Sequence, residues 1–266
     1  MNAFGLYIIT LQNNIFSGLF VGQNLITIQH VDSTNNFLKD LLSNSKPVSE
    51  GTVIMADSQY AGRGQQQNRW HSEPGKNLTF SILLKPVFLP VQQQFDLTRA
   101  ISLAIINALE PFLGSKLKIK WPNDIYYGDG KLGGILIENL LQGSLIKNSV
   151  IGIGLNINQE HFPPEAANAV SVKQILHRDY DLKLILSEIC KNVEIAYLQL
   201  RSGHYDVVRK AYLSRLYWLN EVKIFKVKDR LFEGKIVAVR DHGPLVVDDG
   251  HTTSEYNQKE IEFLNK

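Results

Sequence analysis

The order of strand-like and helix-like stretches is the feature of this sequence that most restricts its fold. Apolar runs with the length and composition of strands cover residues 24–31, 51–59, 77–86, 117–121, 124–141 and 145–158. Helical periodicity in this region is confined to residues 32–42 and 96–112. Because several strands follow one another with no helix between them, the pattern predicts a mixed or antiparallel sheet and therefore the α+β class.

The chain after residue 158 divides into a loop, a helical part and a strand-rich part. Residues 159–170 contain two adjacent prolines and several small residues, which predicts a mobile loop. Apolar side chains at helical spacing predict one helix over 181–200 and a second over 205–219. After about residue 220 only short alternating runs separated by turns remain, and they predict a small C-terminal β-barrel. The expected domains are therefore residues 1–219 and 220–266.

Composition and charge argue against several classes of protein. The 266 residues include 28 basic and 26 acidic ones, a formal net charge of +2 that is too balanced for a nucleic-acid groove or an anionic membrane surface. Cys190 is the only cysteine, so no intramolecular disulfide can form, which favours a cytoplasmic location. Residues 1–24 are apolar but hold no Lys or Arg, and we expect a strand or loop docked on the core there, not a targeting signal.

Polar clusters stand at the ends of the predicted strands, where binding sites are often built. They are DSTN (32–35), DSQYAGRGQQQNRW (57–70), KWPND (120–124), GKLGGILIE (130–138) and GIGLNIN (152–158). The GIG of the last cluster lacks the third glycine of a dinucleotide fingerprint, and Gly130-Lys131 lacks the spacing of a P-loop. No GxSxG nucleophile elbow is present.

Three side chains in these clusters have the chemistry to bind a phosphate-bearing ligand. Arg63, between two glycines, can bring a planar guanidinium and free backbone N–H groups close to an anion. Trp70 offers a flat apolar surface for a purine. Lys131 follows a flexible turn, and the glycines after it leave room for a ligand near the backbone. Together they suit an anionic ligand with a second, polar ring.

Five motifs, taken in order along the chain, closely resemble those of biotin protein ligases, also called biotin–acetyl-CoA-carboxylase ligases. They are STN, QxxxGRG followed by a tryptophan, KWPND, KLGGILIE and GIGLNIN. The resemblance spans roughly residues 25–265. It implies a catalytic domain related to class II aminoacyl-tRNA synthetases and lipoate ligases, with a small SH3-like domain after it. It also implies a two-step reaction: biotin and MgATP give biotinyl-5′-AMP and pyrophosphate, and a lysine of the biotin carboxyl carrier protein then accepts the biotin.

The resemblance implies roles for residues at the matching positions. Those implied to bind biotin are Ser33, Thr34, Asn35, Gln59, Arg63, Gly64, Gln65, Lys131 and Gly134. Those implied to bind ATP are Trp70 (on the adenine), Asn123, Lys131, Asn156 and Asn158. The implied catalytic residues are Arg63, Lys120, Lys131 and Asp124, the last to orient the acceptor lysine or accept its proton. No enzyme nucleophile is required, because biotin supplies its own. The resemblance implies no permanently bound cofactor, and the ligands of Mg²⁺ stay unassigned.

Two departures from the family pattern add expectations. Many bacterial relatives have GRGRxGRxW, whereas this chain has Gln65 after the GRG, and Gln67 and Asn68 replace the next glycine and arginine. A neutral amide holds an acyl phosphate less firmly than a guanidinium, so we expect weaker retention of the adenylate. Bifunctional relatives carry an N-terminal winged helix, and only about 24 residues precede the first strand here, so the sequence predicts a ligase that is not a repressor.

Three alternatives stay open at this stage. A lipoate or octanoate ligase is the nearest, but its acyl chain has no ureido ring to match the polar STN cluster. A non-catalytic biotin or adenylate sensor would not need Lys120, Asp124 and Lys131. A nucleic-acid adaptor is suggested only by the C-terminal barrel and the kinship with synthetases. Both a monomer and a homodimer are compatible with the sequence.

Overall fold

The structure is a computed structural model that describes residues 9–13, 17–44, 47–65 and 68–264. The first part of the chain holds the elements β1 (Ile9–Asn13), β2 (Asn24–Val31), α1 (Thr34–Ser43), β3 (Val53–Gln59), β4 (Leu78–Leu84), α2 (Gln94–Leu113), β5 (Leu117–Lys120), β6 (Asp124–Tyr127), β7 (Gly130–Gln142) and β8 (Leu145–Leu155). The second part holds α3 (Val172–Leu176), α4 (Leu182–Arg201), α5 (Tyr205–Ser214), β9 (Val222–Val227), β10 (Arg230–Val239), β11 (Leu245–Asp248), β12 (Thr253–Tyr256) and β13 (Glu262–Leu264).

The first eight strands form one mixed sheet in the order β1-β2-β3-β4-β8-β7-β6-β5. Only β2 and β3 are parallel, because α1 separates them in sequence, and every other pair of neighbours is antiparallel. The predicted α+β class with a mixed sheet is confirmed. The predicted hairpin over 124–141 is also present, with Gly128 at φ 56° in the turn between β6 and β7.

Helices cover both faces of this sheet. α2 packs against α4 and α5 and buries one face of the sheet in the larger apolar core. α1 packs on β3, β4 and β8 and buries Phe37 and Leu38 with Ile28, Ile54 and Val150 in a second, smaller cluster. α1 therefore presents its N-terminal residues at the end of β2, beside the central strands.

The last five strands form a separate antiparallel sheet in the order β12-β11-β10-β9-β13, as expected for a small C-terminal β-domain. Buried polar contacts join it to the first sheet and its helices. Trp121 Nε1 donates to the Gly243 carbonyl at 2.8 Å. Arg99 on α2 is 1% exposed and donates to the carbonyls of Arg240 and Asp241.

The helix predicted over 205–219 is shorter than expected, and that prediction was wrong. α5 ends at Ser214 because the following residues make strand-like contacts instead: Leu216 bridges Ile119 and Leu219 bridges Ile236. A positive φ of 64° at Trp218 then turns the chain into the C-terminal sheet. The short helix α3 was not predicted, although Ser171 and Gln174 form a capping box at its start.

The N-terminal segment is held to the core in the part that the structure describes. β1 pairs with β2, and the backbone N–H groups of Leu19, Phe20 and Val21 donate to the Glu194 carboxylate. The expectation of a docked strand or loop is met for residues 9–13 and 17–24, whereas residues 1–8 and 14–16 lie outside the described residues. Across the described ranges, no helix combines the length and apolar character needed to cross a bilayer.

Candidate active site

The polar clusters meet in one cavity of about 230 Å³ where β4, β7 and β8 face the N-terminus of α1. The sequence-predicted residues on its wall are Ser33, Thr34, Asn35, Gln59, Arg63, Gly64, Gln65, Trp70, Asn123, Asp124, Lys131 and Gly134. The same wall also carries residues that were not among the predicted site residues, namely Asn68, Arg69, Thr79, Phe80, Pro122, Ile135, Leu136, Gly152, Ile153, Gly154, Gln258 and Lys259.

The most buried part of the wall is a set of neutral hydrogen-bonding groups. Ser33, Thr34 and Asn35 are at most 3% exposed. Ser81 Oγ on β4 lies 2.7 Å from Thr34 Oγ1 and 2.6 Å from Asn35 Oδ1, and the Thr34 N–H donates to Gln59 Oε1 at 2.7 Å. These bonds fix Thr34 and Asn35, whereas no hydrogen bond of the Ser33 hydroxyl to a described residue is present. This end of the cavity suits a small polar ring.

Close packing of β8 against Asn35 shapes the same end. A Cβ atom added at Gly152 would lie 2.5 Å from Asn35 Oδ1, a distance that real Cβ atoms do not reach. The Asn35 amide group also donates to Glu138 Oε2 at 2.8 Å, so both ends of this side chain are committed within the protein. Asn35 therefore positions its neighbours and the floor of the cavity.

Arg63 is held by an acidic partner on β7. Its Nη1 lies 3.1 Å from Glu138 Oε1 and donates to Asn36 Oδ1 at 2.8 Å. Burial acts to raise the pKa of Glu138, but hydrogen bonds from Lys39 and Asn35, with the charge of Arg63, outweigh it and lower that pKa. Glu138 is thus ionised at neutral pH, and it fixes the glycine-flanked loop at the cavity mouth.

Lys131 and Asp124 form the charged centre of the cavity. Lys131 Nζ lies 2.7 Å from Asp124 Oδ2, and both side chains are about one-third exposed. Gly134 faces this pair, since a Cβ there would lie 3.2 Å from Asp124 Oδ1. The side-chain amide of the adjacent Asn123 donates to the Ile135 carbonyl, and the backbone carbonyl of Asn123 accepts from the Ile135 N–H at 3.2 Å. These two bonds hold the start of β6 against β7.

Trp70 lies along β8 on the other side of the cavity. A Cβ added at Gly154 would lie 2.4 Å from Trp70 Cε2, so the indole rests directly on the strand backbone. The loop that carries it is a narrow hairpin, in which the Trp70 N–H donates to the Gly62 carbonyl and the Gly64 N–H to the Asn68 carbonyl. The buried Trp70 Nε1 has no hydrogen-bond partner among the described residues.

Comparison with known proteins agrees with this geometry. Residues 27–156 match the biotin/lipoate A/B protein ligase family. The bifunctional ligase/repressor BirA of Bacillus subtilis is 29% identical over 246 residues, which are 91% of this chain and 75% of BirA. The biotin–acetyl-CoA-carboxylase ligase of Paracoccus denitrificans is 27% identical over 229 residues, 83% of this chain and 92% of that protein. The solved biotin protein ligase of Aquifex aeolicus in complex with biotin and ATP is 27% identical, with a TM-score of 0.76 over 91% of this chain and 99% of the other.

Residues 27–156 of this chain are thereby identified as a biotin/lipoate A/B protein ligase family domain. The resemblance carried by the five sequence motifs is confirmed, and so is the fold class it implied. The family match covers β2 to β8, the strands that build the cavity.

Three predicted site residues do not reach the cavity wall. Lys120 Nζ lies over the rings of Tyr126 and Phe263, and burial lowers its pKa, an effect that Asp124 opposes. Asn158 is bonded through both ends of its amide to the backbone of Tyr180. Asn156 donates to the carbonyls of Lys131 and Val170, and its buried Oδ1 has no partner among the described residues.

Some of the wall residues that were not predicted lie inside the quoted motifs, and others lie far from any motif. Arg69 stands beside Trp70 in the quoted cluster, and Gly152 and Gly154 are the glycines of GIGLNIN, so a closer look at those motifs would have included them. Gln258 and Lys259 lie in the turn between β12 and β13. No local signal places that turn at the cavity, because its position depends on how the two sheets pack.

Proposed function

We propose that this chain is a biotin protein ligase, which activates biotin with MgATP and transfers it to a lysine of the biotin carboxyl carrier protein of acetyl-CoA carboxylase. The cavity is the observation that carries the proposal. It combines a buried neutral polar end, the Lys131–Asp124 pair and an indole surface, in a chain similar to a biotin ligase solved with biotin and ATP.

The buried polar end is the proposed site of the ureido ring of biotin. Among Ser33, Thr34, Asn35 and Gln59, the groups not already committed to other described residues are the Ser33 hydroxyl and the Gln59 amide nitrogen. These two groups would contact the ring directly, while Thr34 and Asn35 hold the wall. Leaving such buried groups unpaired costs about 1–3 kcal/mol each, which favours a polar ureido ring over the apolar dithiolane ring of lipoate or the plain alkyl chain of octanoate.

Lys131 is the proposed electrostatic centre of the first step. A biotin carboxylate oxygen attacks the α-phosphorus of ATP, the bond from that phosphorus to the bridging oxygen breaks, and pyrophosphate leaves with the electron pair. A lysine ammonium contacts both the carboxylate and the α-phosphate as a compact point charge, and it reduces the repulsion between the two anions. Asp124, 2.7 Å from Lys131 Nζ, holds that ammonium in place.

The second step needs a base or an orienting group beside the mixed anhydride. The amine of the acceptor lysine attacks the carbonyl carbon, AMP departs, and the ammonium formed gives up a proton. Asp124 is the only carboxylate on the described part of the cavity wall, and we assign it to this role. Trp70 packs on the adenine, and the loop carrying Arg63, Gly64 and Gln65 closes over the adenylate to exclude water.

Mg²⁺ enters this scheme as part of the substrate MgATP. Among the described residues no group of three or more His, Cys, Asp and Glu side chains is arranged to hold a metal ion. The proposed ligands of the metal are therefore phosphate oxygens. We also propose the division into a catalytic unit over 1–219 and an SH3-like unit over 220–266, which matches the change from the first sheet to the second.

One incubation tests the proposed function. Purified protein is given labelled biotin, MgATP and a biotin carboxyl carrier domain, and pyrophosphate release and labelling of the carrier are measured. Both are expected, and both should depend on MgATP. Biotin binding without pyrophosphate release would instead indicate a sensor.

A titration separates the two ligase classes. Isothermal titration should show biotin binding at least about 100-fold more tightly than lipoate, because lipoate leaves the polar end unpaired. Equal or tighter binding of lipoate would assign the protein to the lipoate branch of the family.

A further inference from the structure

The turn between β5 and β6 leads into Asp124 and is bonded to a helix. Pro122 and Asn123 in this turn lie on the cavity wall, as does Asp124. The Tyr212 hydroxyl on α5 donates to the Pro122 carbonyl at 2.8 Å, although Tyr212 itself is not on that wall. A buried side chain outside the cavity is therefore bonded to the backbone segment that leads to Asp124.

Packing on α2 holds the Tyr212 ring in place. The ring is fully buried, with the Phe95 ring edge-on at a centroid distance of 5.9 Å and the Arg99 guanidinium 5.9 Å from its centre. Phe95 and Arg99 both belong to α2, so the tyrosine lies in the interface of α2 and α5. Burial raises the pKa of the Tyr212 hydroxyl, an effect that the charge of Arg99 opposes, and the group stays protonated at neutral pH. It is therefore a permanent donor in a fixed position.

The Asp124 carboxylate depends on its backbone for its position. Among the described residues it forms an ion pair only with Lys131, and that pair is partly exposed. In the proposed first step Lys131 also contacts the biotin carboxylate and the α-phosphate, so this ion pair weakens as the substrates bind. Asp124 is the first residue of β6, a strand of four residues, and Pro122 stands two positions before it. The turn therefore controls where the carboxylate lies when the acceptor arrives.

We propose that Tyr212 is a positioning residue for the transfer of biotin, because its bond to the Pro122 carbonyl fixes the turn and thereby the Asp124 carboxylate. This inference rests on the proposed function. In that step the acceptor amine attacks the carbonyl carbon of the mixed anhydride, the bond to the phosphate oxygen breaks, and AMP leaves with the electron pair. The proton of the ammonium that forms passes to Asp124, while Tyr212 keeps its own proton. Proton transfer needs the two groups within hydrogen-bond reach, so a small displacement of Asp124 slows this step.

Adenylate formation should depend less on this bond. Lys131, the proposed electrostatic centre of that step, is attached through its backbone to Asn168 and Val170, which lie outside the turn. Its ammonium also has two substrate anions as partners. Loss of the Tyr212 hydroxyl should therefore affect the two half-reactions unequally.

The Tyr212→Phe variant removes this one hydrogen bond and keeps the buried ring. In single turnovers, transfer from added biotinyl-5′-AMP to the carrier domain should slow about tenfold, because a small misplacement of a reacting group has a large effect on rate. The rate of pyrophosphate release in a single turnover without acceptor, and the KM values for biotin and MgATP, should change by less than about twofold.

Tyr197 on α4 offers a matched control. It is 1% exposed, its hydroxyl donates to Glu50 Oε1 at 2.7 Å, and neither residue is on the cavity wall. Tyr212→Phe and Tyr197→Phe each remove one buried donor and should lower the thermal midpoint by a similar amount, about 2–6 °C. With all assays run below both midpoints, only Tyr212→Phe should slow transfer. Equal slowing by Tyr197→Phe would reduce the effect to a loss of stability and overturn the proposal.

A double-mutant cycle tests whether Tyr212 acts through Asp124. Asp124→Asn should itself slow transfer, and adding Tyr212→Phe to it should change the rate by less than about twofold, because the carboxylate that the turn positions has gone. An undiminished effect of Tyr212→Phe in the Asp124→Asn protein would also overturn the proposal.

The outcomes separate this inference from the proposed function. If wild type releases no pyrophosphate with biotin and MgATP, the proposed function fails. If wild type is active and Tyr212→Phe transfers biotin within about twofold of its rate, only the role of Tyr212 fails. Equal losses in both half-reactions would end that role as well, because they would indicate a general loosening of the cavity.

Discussion

Lys131 contributes to the protein through its backbone and its side chain, and the two contributions can be separated. Its N–H donates to the Asn168 carbonyl at 2.7 Å and its carbonyl accepts from Val170 at 2.9 Å, which ties the segment after β8 to β7. Among the described residues, its ammonium forms an ion pair only with the partly exposed Asp124. Partly exposed ion pairs contribute little to stability, so the side chain is available for function.

Lys131→Ala should therefore abolish adenylate formation while the fold persists. We expect a loss of about 100-fold or more in the rate of biotin-dependent pyrophosphate release, as for the removal of one main charge-stabilising group, and a thermal midpoint within about 2 °C of wild type. Lys118→Ala, in β5 and away from the cavity wall, serves as the control. Turnover of Lys131→Ala within tenfold of wild type would contradict the role of this lysine.

Gln65 bears on how tightly the adenylate is kept between the two steps. The residue lies on the cavity wall, at the position where the family pattern implied by the sequence motifs has arginine. A guanidinium at this position adds charge-assisted hydrogen bonds to the acyl phosphate, so Gln65→Arg should slow release of biotinyl-5′-AMP about tenfold in the absence of acceptor. Gln65→Ala should release it at nearly the wild-type rate. Equal retention in wild type and Gln65→Arg would end the idea that this glutamine loosens the site.

At the scale of an element, β8 contacts both ends of the cavity through two glycines on one face. Gly152 lies against Asn35 at the proposed biotin end, and Gly154 lies against Trp70 at the proposed adenine end. The two positions are two residues apart in the same strand, with neighbours on both sides, so their backbone environments are matched. Alanine at either position meets a heavy atom at 2.5 Å or less, and the neighbouring side chain must move.

The positions of these two glycines predict that alanine at each one weakens the affinity for a different substrate. Gly152→Ala displaces Asn35 and should raise mainly the KM for biotin, whereas Gly154→Ala displaces Trp70 and should raise mainly the KM for MgATP. We expect each principal effect to be about tenfold or more, with a stability loss of about 1–3 kcal/mol in both variants from overpacking. Steady-state kinetics with each substrate varied in turn measure the two KM values. If the increase in KM for biotin relative to that for MgATP were the same in both variants, the assignment of the two ends would be refuted.

The elements that sequence predicted well are those whose signals are local. The β6–β7 hairpin follows from a glycine turn between alternating runs, and α4 from an apolar stripe over 20 residues. The end of α5 was missed because residues after Ser214 are taken up by bridges to β5 and β10, partners far away in sequence. The same difference between local and distant signals applies to the site residues. Motif residues at strand ends were brought together, whereas Lys259 reaches the cavity only through packing of the C-terminal sheet.

At the scale of the whole molecule, ligand binding is expected to order two segments over the cavity. The loop over 60–76 carries Arg63 and Trp70, and the segment over 159–170 is bonded to the backbone of Lys131. Saturating biotinyl-5′-AMP should raise the protection of amides in both segments about tenfold or more, because a ligand stabilises the states that bind it. Hydrogen exchange measured by mass spectrometry checks this, with the distant β11–β12 turn as internal control. Identical protection with and without ligand would contradict closure.

A buried ionic network contributes to the attachment of the C-terminal sheet. Arg99, 1% exposed, pairs with the fully buried Asp96 and donates to the carbonyls of Arg240 and Asp241, and Arg209 binds the other side of Asp96. In Arg99→Met, Asp96 keeps Arg209, but the two partly buried carbonyls lose the guanidinium that donates to them.

We expect Arg99→Met to lower the free energy of unfolding by about 3 kcal/mol or more in urea titrations followed by tryptophan fluorescence. Arg215→Met is the control, since its pair with Glu110 is about one-third exposed and should contribute less than about 1 kcal/mol. If Arg99→Met were no less stable than Arg215→Met, the two sheets would have to be joined mainly by apolar packing around Trp121 and Trp218 instead.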